Sequence, residues 1–431
     1  MIKKYQRVFL SIIFLSASIL FHGCGGGGTT VADGGISGTG ITMGRISNFG
    51  SIIVDGVRFD VDSASFIRDG IPATGQEEYS VGEFVVIKGK IDNSGLSGIA
   101  EEVAFTNEIE GSVTVVTSDG LSLEVLGQKV ITNSLTVLIG FTDLSTLIVG
   151  NIIEVSGFKD ANGDIQATSI KLKTTDFIPG TSEYELKGTV SNLDASTMTF
   201  AINDLIIDYS GATLEDFGSV ELRDGLFVEV ESDSLIVGNV LIADKVELED
   251  ETSEFDEGTK AKIEGQITRF NSATDFDVNG LTVTTDTNTE YSDGDINDLT
   301  LGAFIELEGK TNSAGVIVAE SIEFEENEDE LDEYEGFIEN VDLGTNKVIV
   351  SGKTVVIDSE TIMRDESDLN VSPLTLADLA LNDKVKVVGV VTPSGEILAS
   401  KFERKESEAE EQNEDGVDEE DEDESEDEEG Q

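Results

Sequence analysis

The stretch LGAFIELEG, residues 301–309, holds a turn and a strand within nine residues. Gly302 belongs to the residue type that best tolerates a positive φ angle, so it predicts a tight turn. After this turn, Ile305 and Leu307 alternate with two glutamates. Alternation with a period of two predicts a β-strand with an apolar face turned to a core and a charged face turned to water.

The same pattern occurs five times along the 431-residue chain. A turn residue is followed seven positions later by Gly or Ser, and ten or eleven positions after that by Ala. The turn residues are Gly82, Gly150, Gly225, Gly302 and Asn382. The residues seven positions later are Gly89, Gly157, Ser232, Gly309 and Gly389, and the alanines are Ala100, Ala167, Ala243, Ala319 and Ala399. Recurrence of several anchors in one order is the signature of a repeat protein.

Each unit also opens with a glycine that is followed by a hairpin signal. The opening glycines are Gly44, Gly111, Gly188, Gly265 and Gly336. The hairpin dipeptides are Asp55-Gly56, Leu126-Gly127, Asn203-Asp204, Asn279-Gly280 and Ser351-Gly352. Dipeptides of this kind suit the tight primed turns that join antiparallel strands.

These anchors predict five β-repeats, numbered 1 to 5 below, at residues 43–107, 108–178, 184–249, 261–325 and 334–404. Each repeat is expected to hold three strands, a connection with at most one helical turn, and two further strands. Three strands, a short helix and two strands is the order of the OB-fold. We therefore predict an all-β fold, a tandem array of five small five-stranded OB-like β-barrels. A small two-sheet sandwich is the alternative.

The N-terminus has the order of a secretory signal, with basic Lys3, Lys4 and Arg7 followed by an apolar run. The segment Phe21-His22-Gly23-Cys24 resembles the lipobox of bacterial lipoproteins. That resemblance implies cleavage before Cys24 and acylation of its thiol. The residue that follows Cys24 is Gly rather than Asp, which implies the outer membrane. We expect a signal peptide at 1–23 and a Gly-rich leash at 24–42; the alternative is a secreted protein with one free thiol.

Composition then excludes several functional classes. The one histidine, His22, leaves with the signal, and the chain has no tryptophan and no second cysteine. Ser-His-Asp triads, Cys-His dyads and His-ligated zinc are therefore excluded from the mature chain. The formal net charge of −61 excludes nucleic acid as a partner, because phosphate binding needs cationic side chains. We expect no enzyme; a glycoside hydrolase that uses two carboxylates is the class left open.

Two acidic segments are candidates for ion binding. The tail at 405–431 has 17 acids among its last 26 residues, and a block of like charge predicts a disordered segment. The stretch YSDGDINDL (291–299) clusters Asp293, Asp295 and Asp298, which are candidate ligands for a divalent metal. We expect no cofactor other than weakly bound calcium. Solvated loop acids are the alternative.

The repeat pattern resembles DUF5666, a bacterial domain family of unknown function. The stretches GISGTG (35–40) and GSIIVDGVRFD (50–60) carry the resemblance to its first unit. The family recurs in tandem in predicted lipoproteins that begin with CGGGG. The resemblance covers residues 35–404 and implies no activity.

Together these features predict an envelope lipoprotein of unknown molecular activity. It is expected to be bound to the bilayer of the outer membrane through acylated Cys24, facing the periplasm or the exterior. Its role would be that of a non-enzymatic spacer or multivalent binding scaffold for an envelope protein or glycan. A divalent-cation-dependent adhesin or an ion-buffering surface protein is the alternative. The sequence does not predict an oligomeric state.

Overall fold

The computed structural model describes residues 38–92, 95–117, 121–160, 162–249, 255, 257–324, 331–392 and 394–406. The predicted signal peptide, Cys24 and most of the predicted tail lie outside the described residues. Among the described residues, no helix is both long enough and apolar enough to cross a membrane.

The described chain is built from short strands that recur in the same order in all five repeats. Repeat 1 holds β1 (Gly38–Asn48), β2 (Ile52–Val54), β3 (Val57–Asp60), β4 (Ser65–Arg68), β5 (Ile71–Ala73), β6 (Phe84–Ile91) and β7 (Ser97–Phe105). Repeat 2 holds β8 (Ile109–Val116), β9 (Ser122–Val125), β10 (Gln128–Ile131), β11 (Val137–Ile139), β12 (Ile152–Lys159) and β13 (Ile165–Thr174). Repeat 3 holds β14 (Tyr184–Thr189), β15 (Ser191–Asp194), β16 (Thr199–Ile202), β17 (Leu205–Asp208), β18 (Thr213–Glu215), β19 (Phe227–Ser232), β20 (Val240–Ile242) and β21 (Lys245–Leu248).

The last two repeats follow the same plan. Repeat 4 holds β22 (Lys260–Ser272), β23 (Asp275–Val278), β24 (Leu281–Thr284), β25 (Glu290–Ser292), β26 (Phe304–Thr311) and β27 (Ile317–Phe324). Repeat 5 holds β28 (Asp332–Asp342), β29 (Lys347–Val350), β30 (Lys353–Val356), β31 (Ile362–Asp365), β32 (Lys384–Val391) and β33 (Ile397–Lys405). Single turns of 3₁₀-helix lie at Gln76–Glu78, Leu144–Thr146 and Leu376–Asp378.

Strand pairing closes repeats 1, 2, 4 and 5 into barrels, as repeat 4 illustrates, whereas the strands of repeat 3 are divided between a separate sheet, β15–β16–β17–β20, and the sheet that repeat 3 shares with repeat 2. Strand β22 pairs antiparallel with β23, and β23 pairs antiparallel with β24. Strand β24 then runs parallel to β27, β27 pairs antiparallel with β26, and β26 returns to β22. This circuit is the five-stranded OB-like order, so the predicted fold class is confirmed.

A short sixth strand in the connection was not predicted. In repeat 4 it is β25, which runs parallel to the second half of β27. Strands β4, β11, β18 and β31 occupy the same place beside the last strand of their repeats. The last strand is longer than the third strand, with which it pairs. The half of the last strand beyond this pairing therefore has an open edge, and the connection forms backbone hydrogen bonds to it.

The five predicted hairpin dipeptides all lie in two-residue turns. In repeat 4, Val278 and Leu281 form the last pair before the turn, and the φ angles of Asn279 and Gly280 are 48° and 81°. Two successive positive φ angles define the type I′ turn, whose twist matches that of the flanking strands. Repeats 1, 2 and 5 show the same two positive angles, whereas in repeat 3 only Asn203 of the dipeptide has one.

The recurrent Gly and Ala pair with each other across the last two long strands. In repeat 2, Gly157 lies opposite Ala167, and the register of β12 and β13 shifts between Ser156 and Gly157. A Cβ atom on Gly157 would lie 2.0 Å from the backbone oxygen of Gln166. The bulge therefore requires a residue without a side chain. In repeat 3, Ser232 stands at this position and its Oγ donates to Ile242 O at 2.6 Å.

Two pairs of repeats share a sheet through their first strands. Strand β1 of repeat 1 runs parallel to β22 of repeat 4, from Gly40 opposite Lys260 to Met43 opposite Ile263. Strand β8 of repeat 2 pairs antiparallel with β14 of repeat 3. Within the described part of the chain, β28 of repeat 5 pairs only with β29 and β32 of its own repeat.

This pairing moves one predicted boundary. Strand β1 begins at Gly38, inside the segment predicted as the Gly-rich leash at 24–42. Residues 38–43 are strand because β6 binds one edge of β1 and β22 binds the other from Gly40 onward. Ile41 is 4% exposed and packs into the apolar core of repeat 4. The cores of repeats 2 and 3 are likewise continuous with each other.

The bulge predicts a strong response to a single methyl group. We expect Gly157→Ala to lower the free energy of unfolding by roughly 1–3 kcal/mol, since the new Cβ meets backbone that cannot rotate away. Gly211→Ala is the matched control, because no atom lies within 4 Å of its Cβ position. Urea unfolding of both variants measures the difference. Equal stability of the two would show that the bulge relaxes freely.

Candidate functional site

A cleft with a volume of about 310 Å³ lies where repeats 1, 4 and 5 meet. Its lining is mixed, with apolar side chains beside several charged ones. The charged residues are Arg45, Asp55, Glu264, Asp358 and Glu360. Because carboxylates outnumber cations here, the cleft is the best candidate for a binding site formed by several repeats together.

Asp55 reaches the cleft from the β2–β3 turn of repeat 1. It is 7% exposed, and its Oδ2 accepts no hydrogen bond from the described residues. The Lys262 ammonium of repeat 4 lies 3.3 Å from this oxygen. Burial raises the pKa of Asp55 well above its usual range, Lys262 opposes the rise, and Glu306 and Glu264 add to it.

The acids in and beside the cleft outnumber the cations that pair with them. Lys262 also forms an ion pair with Glu306. Arg45 Nη2 donates to Glu264 Oε1 at 2.8 Å, so this contact joins repeat 1 to repeat 4. These pairs fix the relative positions of the two barrels beside the sheet that they share.

Glu360 of repeat 5 lines the cleft together with Asp55 and Glu264, and these carboxylates form its acidic wall. A Cβ atom on Gly56 would lie 2.9 Å from its Oε1, so the two repeats are in contact at this point. Desolvation between the repeats raises the pKa of Glu360 to about 7, and the charges of Asp358, Glu306 and Glu264 contribute. Near neutral pH this wall can therefore hold a proton or a cationic group.

A second charged junction joins repeat 1 to repeat 2. Arg68 at the end of β4 donates to both carboxylate oxygens of Glu83, at 2.9 and 3.0 Å, and also to Glu154 of β12. Glu154 is 2% exposed and accepts from Lys173 Nζ at 2.7 Å. Although burial opposes its charged form, Lys173 and Arg68 hold the pKa of Glu154 below its ordinary value.

The predicted metal ligands Asp293, Asp295 and Asp298 lie in the exposed loop after β25. Asp298 Oδ2 accepts the Asp295 backbone N–H at 2.8 Å, and Asp295 Oδ1 accepts the Asn297 backbone N–H at 2.7 Å. These carboxylates stabilise the turn, and a metal role for the three residues stays a prediction. The predicted lipidation site, Cys24, lies outside the described residues.

Sequence reasoning missed a motif that recurs in three repeats. A threonine hydroxyl at the start of the short sixth strand donates to the carbonyl of the recurrent alanine. The pairs are Thr136 with Ala167 at 2.8 Å, Thr289 with Ala319 at 2.8 Å and Thr361 with Ala399 at 2.7 Å. In the sequence, this motif is marked by an Asn or Asp three positions before each threonine.

The junction at Arg68 predicts a large loss of stability when its cation is removed. We expect Arg68→Met to lower the free energy of unfolding by about 3–5 kcal/mol, because Glu83 and Glu154 would stay buried without it. Lys88→Met is the control, since Lys88 pairs with Glu102 at an exposed site and such pairs contribute about 0.5 kcal/mol. Urea unfolding measures both. A loss at Arg68 no larger than that at Lys88 would contradict this account.

The cleft predicts a pH dependence carried by Glu360. Its folded-state pKa of about 7 is above the ordinary value of 4.5, so the folded chain keeps a proton that the unfolded chain releases. The stability from this proton is complete below pH 4.5 and is lost as the pH rises through 7. Glu360→Gln should therefore lose less stability between pH 6 and pH 8 than the parent chain. Glu101→Gln, at an exposed site, should leave the parent slope unchanged, and equal slopes for all three chains would refute the assignment.

Comparison with known proteins bears on the repeats themselves. The model of one family, described as Domain of unknown function (DUF5666), matches residues 42–104, 110–171, 187–247, 264–323 and 335–403. These five segments coincide with the five barrels and cover most of the chain. A search of curated proteins found no match. The chain therefore belongs to the DUF5666 family, as five tandem copies of its domain.

Proposed function

We propose that this chain is a non-enzymatic envelope lipoprotein whose five barrels act together as one rigid scaffold. The observation that carries the proposal is the sheet shared by repeats 1 and 4, which are separated in sequence by two other repeats. Backbone hydrogen bonds between barrels fix their orientation more firmly than linkers would. A rigid array presents its surfaces at fixed spacing, which is what a spacer or a multivalent binding scaffold needs.

Charged contacts support the same proposal. The Arg68–Glu154 pair joins repeats 1 and 2, and the Arg45–Glu264 pair joins repeats 1 and 4. Lys401 of repeat 5 is 6% exposed and donates to the backbone oxygen of Thr136 in repeat 2 at 3.1 Å. A partner, whether an envelope protein or a glycan, would meet a strongly acidic surface, so basic groups on the partner would favour binding.

The acidic cleft favours a second candidate function, a cation-dependent adhesin. Asp55, Glu264, Glu306 and Glu360 come from three repeats, and a divalent ion among them would couple those repeats. Calcium titration of adhesion, with Glu360→Gln as the variant, separates this function from simple scaffolding. Adhesion that is independent of calcium favours the scaffold.

The proposed lipid anchor at Cys24 predicts that Cys24→Ala moves the chain from the membrane fraction to the soluble fraction. Acyl chains on Cys24 would hold the parent chain in the membrane fraction, and the variant has no thiol to acylate. We expect the parent chain in the membrane pellet and the variant in the soluble fraction, measured by immunoblot after carbonate extraction. Equal amounts of the variant and the parent in the pellet would contradict the lipid anchor.

A rigid array of barrels predicts a narrow distribution of distances between labels on different repeats. In a Cys24→Ala background, spin labels at Asp62→Cys in repeat 1 and Ser313→Cys in repeat 4 should give a narrow distance distribution by pulsed electron resonance. The control pair, Asp295→Cys with Ser313→Cys, lies within repeat 4 and sets the width for a single barrel. A much broader distribution between repeats than within one would support barrels that move as separate beads.

A further inference from the structure

Three carboxylates meet on the surface where repeat 3 faces repeats 1 and 2. Glu185 of β14 lies directly opposite Glu231 of β19, and Glu229 lies on the same face of β19. One carboxylate oxygen from each lies within 4.8 Å of the other two. Glu185 is 8% exposed and Glu229 is 7% exposed. Three acids this close and this buried need a positive charge nearby.

A buried amide oxygen without a partner lies beside this group. Asn107, in the connection between β7 and β8, is 1% exposed, and its Nδ2 donates to Glu185 Oε2 at 2.6 Å and to Asp69 Oδ1 at 3.1 Å. Its Oδ1 accepts no hydrogen bond from the described residues. A buried acceptor left unpaired loses its hydration without a replacement, so this oxygen lacks a donor or a cation. Because it belongs to the amide whose Nδ2 donates to Glu185, it lies next to that carboxylate of the group.

Repeat 4 shows what stands at this position in a barrel that supplies its own charge. By strand register, Lys262 of β22 lies opposite Glu308 as Glu185 lies opposite Glu231. The Lys262 ammonium forms an ion pair with Glu306, the equivalent of Glu229. Repeat 4 therefore has one cation and two acids where repeat 3 has three acids.

The lysines around the group leave an excess of negative charge. Lys187 Nζ lies 4.0 Å from Glu229 and is shared with Glu249 at 3.9 Å. Lys245 pairs with Glu231 and is shared with Glu247 at 2.6 Å. On the side of repeat 2, Glu110 lies opposite Glu185 and pairs with Lys173 at 2.9 Å. Each lysine here is shared between at least two acids, so none of them neutralises the group.

The protonation of the carboxylates agrees with this shortage of cations. Burial raises the pKa of Glu185 to about 7 and that of Glu229 to about 8. Lys187 opposes the rise at Glu229. Carboxylates held close to an adequate cation have lowered pKa values instead, as Glu154 does.

We propose that Glu185, Glu229, Glu231 and Asn107 Oδ1 bind one divalent cation of the calcium class. The donors are all hard oxygens, and carboxylates that bind through both oxygens bring the coordination into the range of six to eight that calcium takes. Magnesium keeps several waters and demands octahedral geometry, and zinc prefers nitrogen and sulfur. The ion would tie the end of repeat 1 to repeat 3. This site depends neither on the tether nor on a scaffolding role.

Calorimetric titration of the full chain with calcium in 150 mM KCl tests the site. The acidic tail is present in every chain, so weak binding to it forms a common background. The parent chain should show one stoichiometric calcium step above this background, with magnesium at least tenfold weaker. Absence of the step, or equal affinity for the two ions, would overturn the proposal.

Glu185→Lys is the decisive variant, because it places an ammonium where repeat 4 has Lys262. We expect it to fold and to bind calcium at least tenfold more weakly. Glu333→Lys is the matched control: Glu333 stands at the equivalent position of repeat 5, opposite Val388, and should leave the calcium step unchanged. An equal loss in both variants would show an effect of net charge and would overturn the site.

A second variant keeps the test valid if Glu185→Lys does not fold. Glu229→Gln preserves the shape of the side chain and removes one charged ligand. We expect at least a tenfold loss of calcium affinity, together with loss of the rise in melting temperature that calcium produces in the parent chain. Unchanged calcium affinity in a folded Glu229→Gln chain would exclude these carboxylates as the ligands.

Discussion

The first strand of each barrel binds two different neighbours along its length, and this constraint joins four of the five barrels in pairs. In repeat 1, the second half of β1 pairs with β2 of the hairpin, and the first half pairs with β6. Within the barrel, the other edge of this first half is open. An open strand edge carries unpaired backbone groups that must be bonded by water or by another strand. Here β1 and β22 cover each other, and so do β8 and β14. The association of repeat 1 with repeat 4 and of repeat 2 with repeat 3 is thus a consequence of how each barrel closes, whereas in the described part of the chain β28 of repeat 5 pairs only within its own repeat.

Packing the barrels against one another brings charged strand faces together, and this explains the ionic character of the junctions. In an isolated barrel, Glu154 and Lys262 would stand on the water-facing side of their strands. In the array they are 2% and 9% exposed, and each forms an ion pair with a residue of a neighbouring barrel, Glu154 with Arg68 and Lys262 with Asp55. Such pairs add little net stability compared with apolar contacts, but breaking one leaves a buried charge. The junctions therefore favour one arrangement of barrels over others.

The features that the sequence predicted are those fixed within one repeat. The type I′ turn at Asn279-Gly280 depends on two adjacent residues, so the local pattern predicts a tight turn there, whereas Gly157 was recognised only as a recurrent anchor and its place in a bulge was not predicted. The pairing of β1 with β22 joins residues more than two hundred positions apart, and no local signal marks it. The GTG segment at 38–40 illustrates the limit. Its glycines indicate flexibility, and only the presence of strands on both sides makes it β-structure.

The candidate sites show the same division between local and long-range information. Asp293, Asp295 and Asp298 attract attention because they are close in sequence, yet in the structure the carboxylates of Asp295 and Asp298 bond backbone of their own loop. Glu185 and Glu231 are 46 positions apart and become neighbours only through strand register.

One position of the repeat shows how copies of a single domain acquire different roles. Three residues before the opening glycine stand Ile41, Glu108, Glu185, Lys262 and Glu333. In repeats 1, 3 and 4 this position lies on the first half of the first strand, beside the neighbouring barrel, so that barrel determines which side chain is tolerated. Ile41 fills the core of repeat 4, and Lys262 supplies a cation to the acids around it. At Glu185 the same position carries a carboxylate that faces two more, and the cation that we propose there would complete the charge balance of repeat 3 from outside the barrel.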